Sequence, residues 1–521
     1  YFRRTDPGRL VHYEGIFWNR EYPATSDMES QMYTPVVDIK KFLTEHPEKP
    51  FIMCEYSHAM GNSCGGITDY TEYAYEEPLY QGGFIWEYID HGIAVTGPDG
   101  KLSFAYGGDF GDKPNDGTFC MNGVMRPDLT PKAQYYEVKK VYQNVGVTAK
   151  DIKQGQIEIF NKNYFQPLDD YQIVWSLYKD GVCVQKDQPL MGPRMVLGPR
   201  QKMNYRLPYN YDNLERQSEY FVKVEFRLAK AMPWAQKGYV QMEEQLKVKD
   251  AENVPSMAQA GKGDAIRRST EGDLIVLEGQ GFKAKFDTRT GSLYSLVYGN
   301  TTIIADGNGP KLDGFRAPTD NDNWAYGSWL KNGVHNLQHK VISWNVCNLL
   351  KGNPRDWNSA GRVLISFAVE SQAPCGAYDT YHNRDREPWS TYEVKNREDQ
   401  PFGPNDFKFI TNQIWTVYPD GSIELQSAIS SNKPTADLAR LGYAMKLPTE
   451  LNSFYYYGRG PINNYNDRKT GQNIELHQQK VGEEIILPKP QSMGNREDVR
   501  WMALTNEAGR GAAFIADGIM S

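Results

Sequence analysis

The stretch Phe51–Gly66, FIMCEYSHAMGNSCGG, decides the fold of the first part of the chain. Its first four residues form an apolar run that is typical of a buried strand, but the run leads directly into Glu55 and, three residues later, His58. Barrels of alternating strands and helices build their sites at the C-terminal ends of the strands, where the loops begin. A core strand that ends in an acid and an imidazole has the placement that such a site needs, and Glu55 is the first candidate catalytic residue. A carboxylate that caps the next helix or pairs with a buried partner stays open as the alternative for Glu55.

Short strands and helices alternate around this stretch. Apolar residues at helical spacing predict helices over VVDIKKFLTEH and ITDYTEYAYEE, and we expect strands at RLVHYEG, PFIMCE and GGFIWEYID. This alternation predicts parallel strands joined by crossover helices. Three such units are too few to close a barrel. Since the chain also starts at Tyr1 and stops within a strand-like run, we expect it to be part of a longer protein.

The pattern changes from about residue 142 to period-two alternation over short segments, which predicts an immunoglobulin-like β-sandwich. Asp180-Gly181 marks a hairpin turn inside it. A polar stretch with Pro and Gly follows, and hairpins such as FDTRTGSLYSL and TVYPDGSIELQSAI continue towards the C-terminus. The predicted organisation is a barrel part at 1–138, the sandwich at 139–250, a linker at 251–268 and a large all-β domain at 269–521.

The composition argues against some classes of partner. The chain has 58 Lys and Arg residues against 65 Asp and Glu residues, a net charge of −7, and no basic run. Nucleic-acid partners call for basic patches, and a membrane span calls for about 18 consecutive apolar residues. We therefore expect neither a nucleic-acid nor a membrane partner. The six cysteines lack metal-ligand spacing and indicate thiols of a reducing compartment, so we expect a cytoplasmic protein.

Carboxylates, amides and aromatic rings gather near the other predicted strand ends. They are Tyr33 in the loop before Glu55, then Trp86, Glu87, Asp90 and Asn122. The apolar Met32 precedes Tyr33 in the same loop. Sugar hydroxyls need several donors and acceptors, and the apolar face of a sugar ring needs an aromatic wall. Retaining glycoside hydrolysis also needs two carboxylates about 5–5.5 Å apart, one as nucleophile and one as acid/base. The pattern thus predicts a sugar site with Glu55 as nucleophile, and Glu87 with Asp90 stays open as an internal acid/base pair.

Six stretches resemble the large multidomain β-galactosidases of glycoside hydrolase family 2. They are CEYSHAMGNS, QGGFIWEYID, AYGGDFGDKPNDGTFCMNG, FRAPTDNDNW, YGRGPINNYNDR and MGNREDVRW. The resemblance covers nearly the whole chain. It implies the C-terminal half of a TIM (β/α)8 barrel, then an immunoglobulin-like β-sandwich, then most of a large all-β supersandwich domain. It also implies a retaining enzyme that hydrolyses terminal β-D-galactose residues of lactose-type β-galactosides.

The same resemblance implies a role for each matching residue. Glu55 would be the nucleophile that forms the galactosyl-enzyme, and Tyr33 would hydrogen-bond it. Met32 would line the pocket, His58 would contact the sugar hydroxyls, and Trp86 would lie beneath the galactose ring.

The resemblance further implies cations, partners and missing groups. Asn122 and the backbone carbonyl oxygen of Phe119 would bind sodium or another monovalent cation. Magnesium ligands and the acid/base glutamate would lie upstream of Tyr1, so residues 1–521 alone are expected to be inactive. The partner would be a carbohydrate substrate, and the intact enzyme would be a homo-oligomer.

Other interpretations stay open. The same fold could serve a β-glucuronidase or β-mannosidase, although no quoted motif residue supplies the cation that a glucuronate carboxylate needs. The chain could also be a non-catalytic or complementing sugar-binding part. We interpret Glu14 as structural and expect no metal at His335 and His339, because the glutamate of the metalloprotease motif is absent. The resemblance implies that the DNDNW loop, which begins at Asp320, lies near the active site, and a role in stabilising the turn alone stays open.

Overall fold

The computed structural model describes residues 1–190, 196–252, 264–324, 328–329, 332–349, 359–372, 377–379, 393–395, 406–484 and 487–521. Four α-helices lie within residues 1–141, all of which the structure describes. They are α1 (Phe2–Thr5), α2 (Val36–Glu45), α3 (Ile67–Glu76) and α4 (Ala133–Val141). Strands make up most of the remaining regular structure.

The first part is built on a three-stranded parallel sheet in the order β1–β2–β3. Its strands are β1 (Glu29–Met32), β2 (Phe51–Tyr56) and β3 (Tyr80–Ile85), and a ribbon follows at β4 (Ile93–Thr96) and β5 (Leu102–Ala105). The two predicted crossover helices are confirmed as α2 and α3, which bury Ile39, Leu43 and Ile67 in the same cluster as Phe51 and Met53. The C-terminal ends of all three strands therefore meet at one edge of the sheet.

The predicted strand at RLVHYEG does not form. The backbone N–H of Val11 donates to Asp27 Oδ2 at 2.7 Å, and that of Tyr13 donates to Ser26 Oγ at 3.0 Å. Side chains thus occupy the donors that a neighbouring strand would use. Glu14 begins a short 3-10 turn, Glu14–Ile16, instead of ending a strand.

A two-sheet β-sandwich follows the first part. Its strands are β6 (Val145–Asp151), β7 (Gln156–Asn161), β8 (Tyr171–Lys179), β9 (Val182–Pro189), β10 (Lys202–Arg206), β11 (Tyr220–Leu228) and β12 (Val240–Lys249). They form the antiparallel sheets β10–β7–β6 and β12–β11–β8–β9 around a core that contains Trp175 and Phe226. The turn between β8 and β9 is at Asp180 and Gly181, whose φ angles of 48° and 80° suit the two-residue turn predicted there.

The rest of the chain is all β. Its strands are β13 (Ile266–Glu271), β14 (Leu274–Gly279), β15 (Phe282–Asp287), β16 (Ser292–Tyr298), β17 (Thr301–Ile304), β18 (Lys311–Asp313), β19 (Gln338–Leu349), β20 (Ser359–Ala360), β21 (Arg362–Gln372), β22 (Ala377–Asp379), β23 (Glu393–Lys395), β24 (Lys408–Val417), β25 (Ile423–Ser431), β26 (Gly442–Ala444), β27 (Ser453–Gly460), β28 (Asn473–Lys480), β29 (Val499–Thr505) and β30 (Gly511–Met520). The sheets β17–β16–β15–β14–β13–β20 and β19–β21–β24–β25 share one core, in which the Phe286 and Trp415 rings meet edge-to-face at 5.5 Å.

The predicted linker at 251–268 ends earlier than expected. Ile266 already belongs to β13, where it is fully buried in the core of the all-β part. Ile266 is an apolar residue within the polar stretch, and it marks the start of β13 in the sequence. Residues 253–263 lie outside the described residues.

His335 and His339 lie in different elements of the structure. His335 lies in a 3-10 turn and His339 in β19, so the two do not share a helix face, and burial lowers the pKa of His339 to about 4. Among the described residues, no cluster of three or more His, Cys, Asp or Glu could hold a metal ion. No helix of the described ranges is long and apolar enough to cross a membrane.

Candidate active site

Tyr33 and Glu55 lie side by side at the C-terminal edge of the parallel sheet. Met32 is the last residue of β1 and is paired with Glu55 of β2, so Met32 belongs to a strand and not to the predicted loop. The Tyr33 hydroxyl donates to Glu55 Oε2 at 2.6 Å, and the Tyr33 N–H donates to the Glu55 carbonyl oxygen at 2.9 Å. Burial and the hydrogen bond to Glu55 raise the pKa of Tyr33. The hydroxyl therefore keeps its proton at neutral pH and leaves Glu55 Oε1 for another contact.

His58 lies next to this pair, on the loop that follows β2. Its ring meets the Tyr33 ring perpendicularly, with 6.0 Å between the centroids, and lies 6.1 Å from the Phe119 ring. His58 Nδ1 is 2.8 Å from Asn321 Oδ1, and Asn321 Nδ2 donates to the His58 carbonyl oxygen at 2.8 Å. The DNDNW loop of the all-β part thus reaches the site, as the family resemblance implied.

Trp86 brings the end of β3 against the same loop. Its carbonyl oxygen accepts a hydrogen bond from the Ala59 N–H at 2.7 Å, so Trp86 lies beside the residue that follows His58. The side chains of Met32, Tyr33, Trp86 and Phe119 are 41%, 42%, 40% and 41% exposed. These side chains are large and partly exposed, and Glu55 is the carboxylate of the same site. Small-ligand sites commonly combine apolar and aromatic side chains with a few polar groups in this way.

Asn122 and Phe119 form the part of the site that could hold a cation. Asn122 is 4% exposed, its Nδ2 lies 2.5 Å from the Phe119 carbonyl oxygen, and its Oδ1 has no hydrogen-bond partner among the described residues. The Asn122 group beside the Phe119 carbonyl oxygen is its NH2, because a carbonyl oxygen only accepts, so the orphaned Oδ1 lies on the other side of the amide. Amide and carbonyl oxygens are ligands of the type that suits a hard cation. The monovalent cation that the resemblance implies stays a prediction. The Glu87 N–H donates to the Asn122 carbonyl oxygen at 2.8 Å and ties this turn to the end of β3.

Asp90 does not face the site. Its carboxylate and the Lys132 ammonium are each 1% exposed and lie 3.0 Å apart, and the Gly123 N–H donates to Asp90 Oδ1 at 2.7 Å. Burial raises the pKa of Asp90 and lowers that of Lys132. A sealed carboxylate cannot exchange protons with a sugar, so the interpretation of Glu87 and Asp90 as an acid/base pair is wrong for Asp90. Glu87 Oε2 lies 3.2 Å from His91 Nε2.

Glu14 and Asn321 are two further residues near the site, of which only Glu14 was considered in the sequence. Glu14 Oε1 accepts a hydrogen bond from Trp18 Nε1 at 3.3 Å, which agrees with a structural role. Asn321 is the contact that reasoning from the sequence missed, because 263 residues separate it from His58 and no local pattern links them. The FRAPTDNDNW stretch marked the loop, but it did not identify the partner.

Three family models match successive parts of this chain. "Glycosyl hydrolases family 2, TIM barrel domain" matches residues 1–147. "Beta-galactosidase, domain 4" matches residues 157–249, and "Beta galactosidase small chain" matches residues 278–519. The three matches follow one another without overlap and leave only short segments between them.

Curated relatives agree with these matches. A protein named beta-galactosidase from Priestia megaterium is 34% identical over 525 residues, which is 100% of this chain and 45% of the relative. Another beta-galactosidase, from Halalkalibacterium halodurans, is 33% identical over 98% of this chain and 46% of the relative. The chain thus spans about half the length of the curated relatives that it matches. A solved Bacteroides uniformis beta-glucuronidase aligns over 85% of this chain and 47% of its own at 11% identity, with a TM-score of 0.21. The chain belongs to glycoside hydrolase family 2, and the curated relatives that it is similar to are named beta-galactosidases.

Proposed function

We propose that this chain carries the nucleophile of a retaining β-galactosidase that hydrolyses terminal, non-reducing β-D-galactose residues. The observation that supports the proposal most directly is the 2.6 Å hydrogen bond from the Tyr33 hydroxyl to Glu55 Oε2 at the C-terminal ends of adjacent parallel strands. Active sites of α/β barrels lie at these strand ends. A carboxylate on a rigid strand, oriented by a protonated phenol, is the arrangement that a covalent mechanism needs.

In the proposed reaction, Glu55 Oε1 attacks the anomeric carbon while the glycosidic oxygen takes a proton from a general acid and leaves. Water then attacks the same carbon and gives a proton to that acid/base group, the bond between this carbon and Glu55 Oε1 breaks, and galactose departs with retained configuration while Glu55 returns to a carboxylate. Tyr33 holds Glu55 Oε2 throughout, so the attacking oxygen keeps one direction. We propose that the acid/base glutamate and the magnesium ligands lie outside residues 1–521, since the chain covers 45% of its Priestia relative.

The sugar would lie between Trp86 and His58. Trp86 offers an exposed aromatic face, and His58 offers a ring nitrogen within the same loop cluster as the nucleophile. We propose galactose over glucuronate because the groups beside the site are the Asn122 amide and the Phe119 carbonyl, which suit a neutral hydroxyl better than a carboxylate.

A panel of nitrophenyl β-glycosides tests this proposal. The full-length protein should hydrolyse the galactoside in preference to the glucuronide, mannoside and glucoside, and NMR should show the β-anomer of galactose as the first product. Preference for the glucuronide or the mannoside would show that the sugar is wrong. Residues 1–521 alone should show no turnover, and robust turnover by them would place the general acid inside this chain.

Replacing Tyr33 with phenylalanine should lower kcat by roughly 10- to 100-fold, because a hydrogen bond to a charged group contributes about 1.5–3 kcal/mol. The ring and its contact with His58 remain, so the unfolding midpoint should change little. Steady-state kinetics on the galactoside measure the effect. As a matched control, Tyr22→Phe removes the hydroxyl of an exposed tyrosine in the same part and should leave kcat unchanged. Equal kcat values for native and Tyr33→Phe proteins would contradict the proposed role.

We also propose that Asn122 and the Phe119 carbonyl oxygen hold a sodium ion. When bound, the ion would offer a fixed positive charge to a sugar hydroxyl. Replacing sodium by tetramethylammonium at constant ionic strength should raise KM for the galactoside by roughly tenfold, which is about 1.4 kcal/mol. Asn122→Ala should raise KM in sodium and abolish the difference between the two salts. A KM that is identical in both salts for the native protein would argue against the cation.

We propose a cytoplasmic homo-oligomer, which the family resemblance supports. Cys54, Cys64, Cys120, Cys183 and Cys347 are free thiols, as a reducing compartment would keep them. Light scattering of the purified full-length protein would measure the assembly.

A further inference from the structure

Asn321 belongs to the all-β part, yet it binds a residue of the candidate active site twice. Asn321 Oδ1 lies 2.8 Å from His58 Nδ1, and Asn321 Nδ2 lies 2.8 Å from the His58 carbonyl oxygen. One planar amide therefore spans both the ring and the backbone of His58. Such a two-point contact fixes the direction of the ring as well as its position.

The second of these bonds settles the orientation of the amide. A backbone carbonyl oxygen can only accept a hydrogen bond, so the Asn321 atom beside the His58 carbonyl must be the NH2 group. The atom beside the ring is then the Asn321 oxygen, which can only accept. His58 Nδ1 must therefore carry a hydrogen, and in the neutral imidazole Nε2 is left with a free lone pair.

We infer that Asn321 is a positioning residue that holds His58 in its Nδ1–H tautomer, so that His58 Nε2 presents an acceptor to a sugar hydroxyl. The inference rests on the proposed function for its sugar ligand, while the tautomer rests on the two contacts alone. The all-β part thereby takes part in substrate recognition through a residue that does not touch the substrate.

Asn321 can do this because the preceding residue is locked in place. Asp320 is 5% exposed, and its carboxylate accepts hydrogen bonds from Gln491 Nε2 at 2.9 Å and Thr118 Oγ1 at 3.2 Å, with Lys489 Nζ at 3.1 Å. Thr118 precedes Phe119 in the turn that carries the candidate cation ligands. Asp320 therefore joins that turn to the all-β part, and Asn321 follows it with little freedom to move.

Gly61 shows how closely the two parts approach. A Cβ at this position would lie 2.3 Å from Asp320 Oδ2 and 2.4 Å from Gln491 Oε1, and the φ of Gly61 is 59°. Any side chain here would push Asp320 away from the loop after β2. The neighbouring Asn62 N–H donates to Gln491 Oε1 at 2.9 Å, which closes the contact. The loop that carries His58 is thus seated against the residue that precedes Asn321.

A double-mutant cycle on His58 and Asn321 tests the inference in the full-length protein. Asn321→Ala should lower kcat/KM by roughly tenfold, as expected for the loss of two hydrogen bonds. If Asn321 acts through His58, the double variant His58→Ala with Asn321→Ala should be no slower than His58→Ala alone. Asn321→Asp keeps the acceptor for Nδ1 but sets a charged oxygen against the His58 carbonyl oxygen, which can only accept, so its kcat/KM should fall at least as far as that of Asn321→Ala.

Failure of the inference about Asn321 can be told apart from failure of the proposed function. Asn506 lies in an exposed turn of the same part, and Asn506→Asp should leave kcat/KM unchanged. The double-mutant cycle uses whichever nitrophenyl glycoside the panel shows to be hydrolysed. A preference for a sugar other than galactose would therefore contradict the proposed function and leave the test on Asn321 intact. If no glycoside is hydrolysed, the ¹⁵N shifts of the His58 ring decide the inference: Nδ1 should be protonated and Nε2 unprotonated in the neutral ring of the native protein, and Asn321→Ala should remove this preference. Losses that simply add in the double variant would overturn the inference.

Discussion

Replacing Glu55 with glutamine in the full-length protein is expected to lower kcat on the nitrophenyl galactoside by about 10⁴-fold or more. An amide cannot form the glycosyl ester, and loss of a covalent nucleophile removes most of the rate enhancement of enzymes that depend on one. The substitution keeps the size of the side chain, and its carbonyl oxygen can still accept the Tyr33 hydroxyl. Because Glu55 is only half-buried, the unfolding midpoint should shift little.

Glu45→Gln provides the matched control, since it makes the same change on the exposed end of α2, the helix that leads into β2. Its kcat should equal that of the native protein. A galactoside that carries an electron-withdrawing group at C2 should slow both steps of the reaction and, with a good leaving group, let the glycosyl-enzyme accumulate. Mass spectrometry should then find one added sugar on the peptide that contains Glu55. A label on Glu14 or Glu87, or a Glu55→Gln protein with most of its activity, would contradict the assignment.

The local part of the fold could be predicted from the sequence. The helices α2 and α3 and the strand β2 follow from apolar spacing, and the turn at Asp180-Gly181 follows from backbone chemistry that a few residues determine. The closeness of Tyr33 and Glu55 was implied by the family resemblance alone, since the strand β1 that ends beside Tyr33 was not predicted. The features predicted from the residues themselves depend on short stretches, which are visible in one sequence.

Features that depend on distant partners could not be predicted. RLVHYEG has the composition of a strand, but the side chains of Ser26 and Asp27 take its backbone donors. Asp90 follows a strand like a site residue, and only the fold brings Lys132 onto it. Asn321 has an ordinary loop context, and its contact with His58 arises when two parts of the chain pack together. Each case needs the three-dimensional neighbour, which periodicity and motif spacing do not contain.

Lys132→Met is expected to weaken the barrel part by about 3–5 kcal/mol, because it leaves the sealed Asp90 carboxylate without its counter-ion. The Lys132 ammonium also donates to the Ala59 carbonyl oxygen, next to His58, and Asp90 accepts from Gly123, next to Asn122. The pair thus ties the loop after β2 to the turn that carries the candidate cation ligands. Hydrogen exchange of the β2 and β3 amides measures the loss as a local opening free energy, which suits a chain with several parts.

Removing both charges should cost less than removing one. Asp90→Asn combined with Lys132→Met leaves no unpaired ion, so much of the lost stability should return, although the amide cannot replace every bond. Lys101→Met is the matched control, since its pair with Asp99 is 85% and 58% exposed, and such a pair contributes at most about 1 kcal/mol. If Lys132→Met exchanged no faster than Lys101→Met, the buried pair would not be what holds the two loops together. If it exchanged faster but kept its KM, the pair would stabilise the fold without setting the geometry of His58 and Asn122.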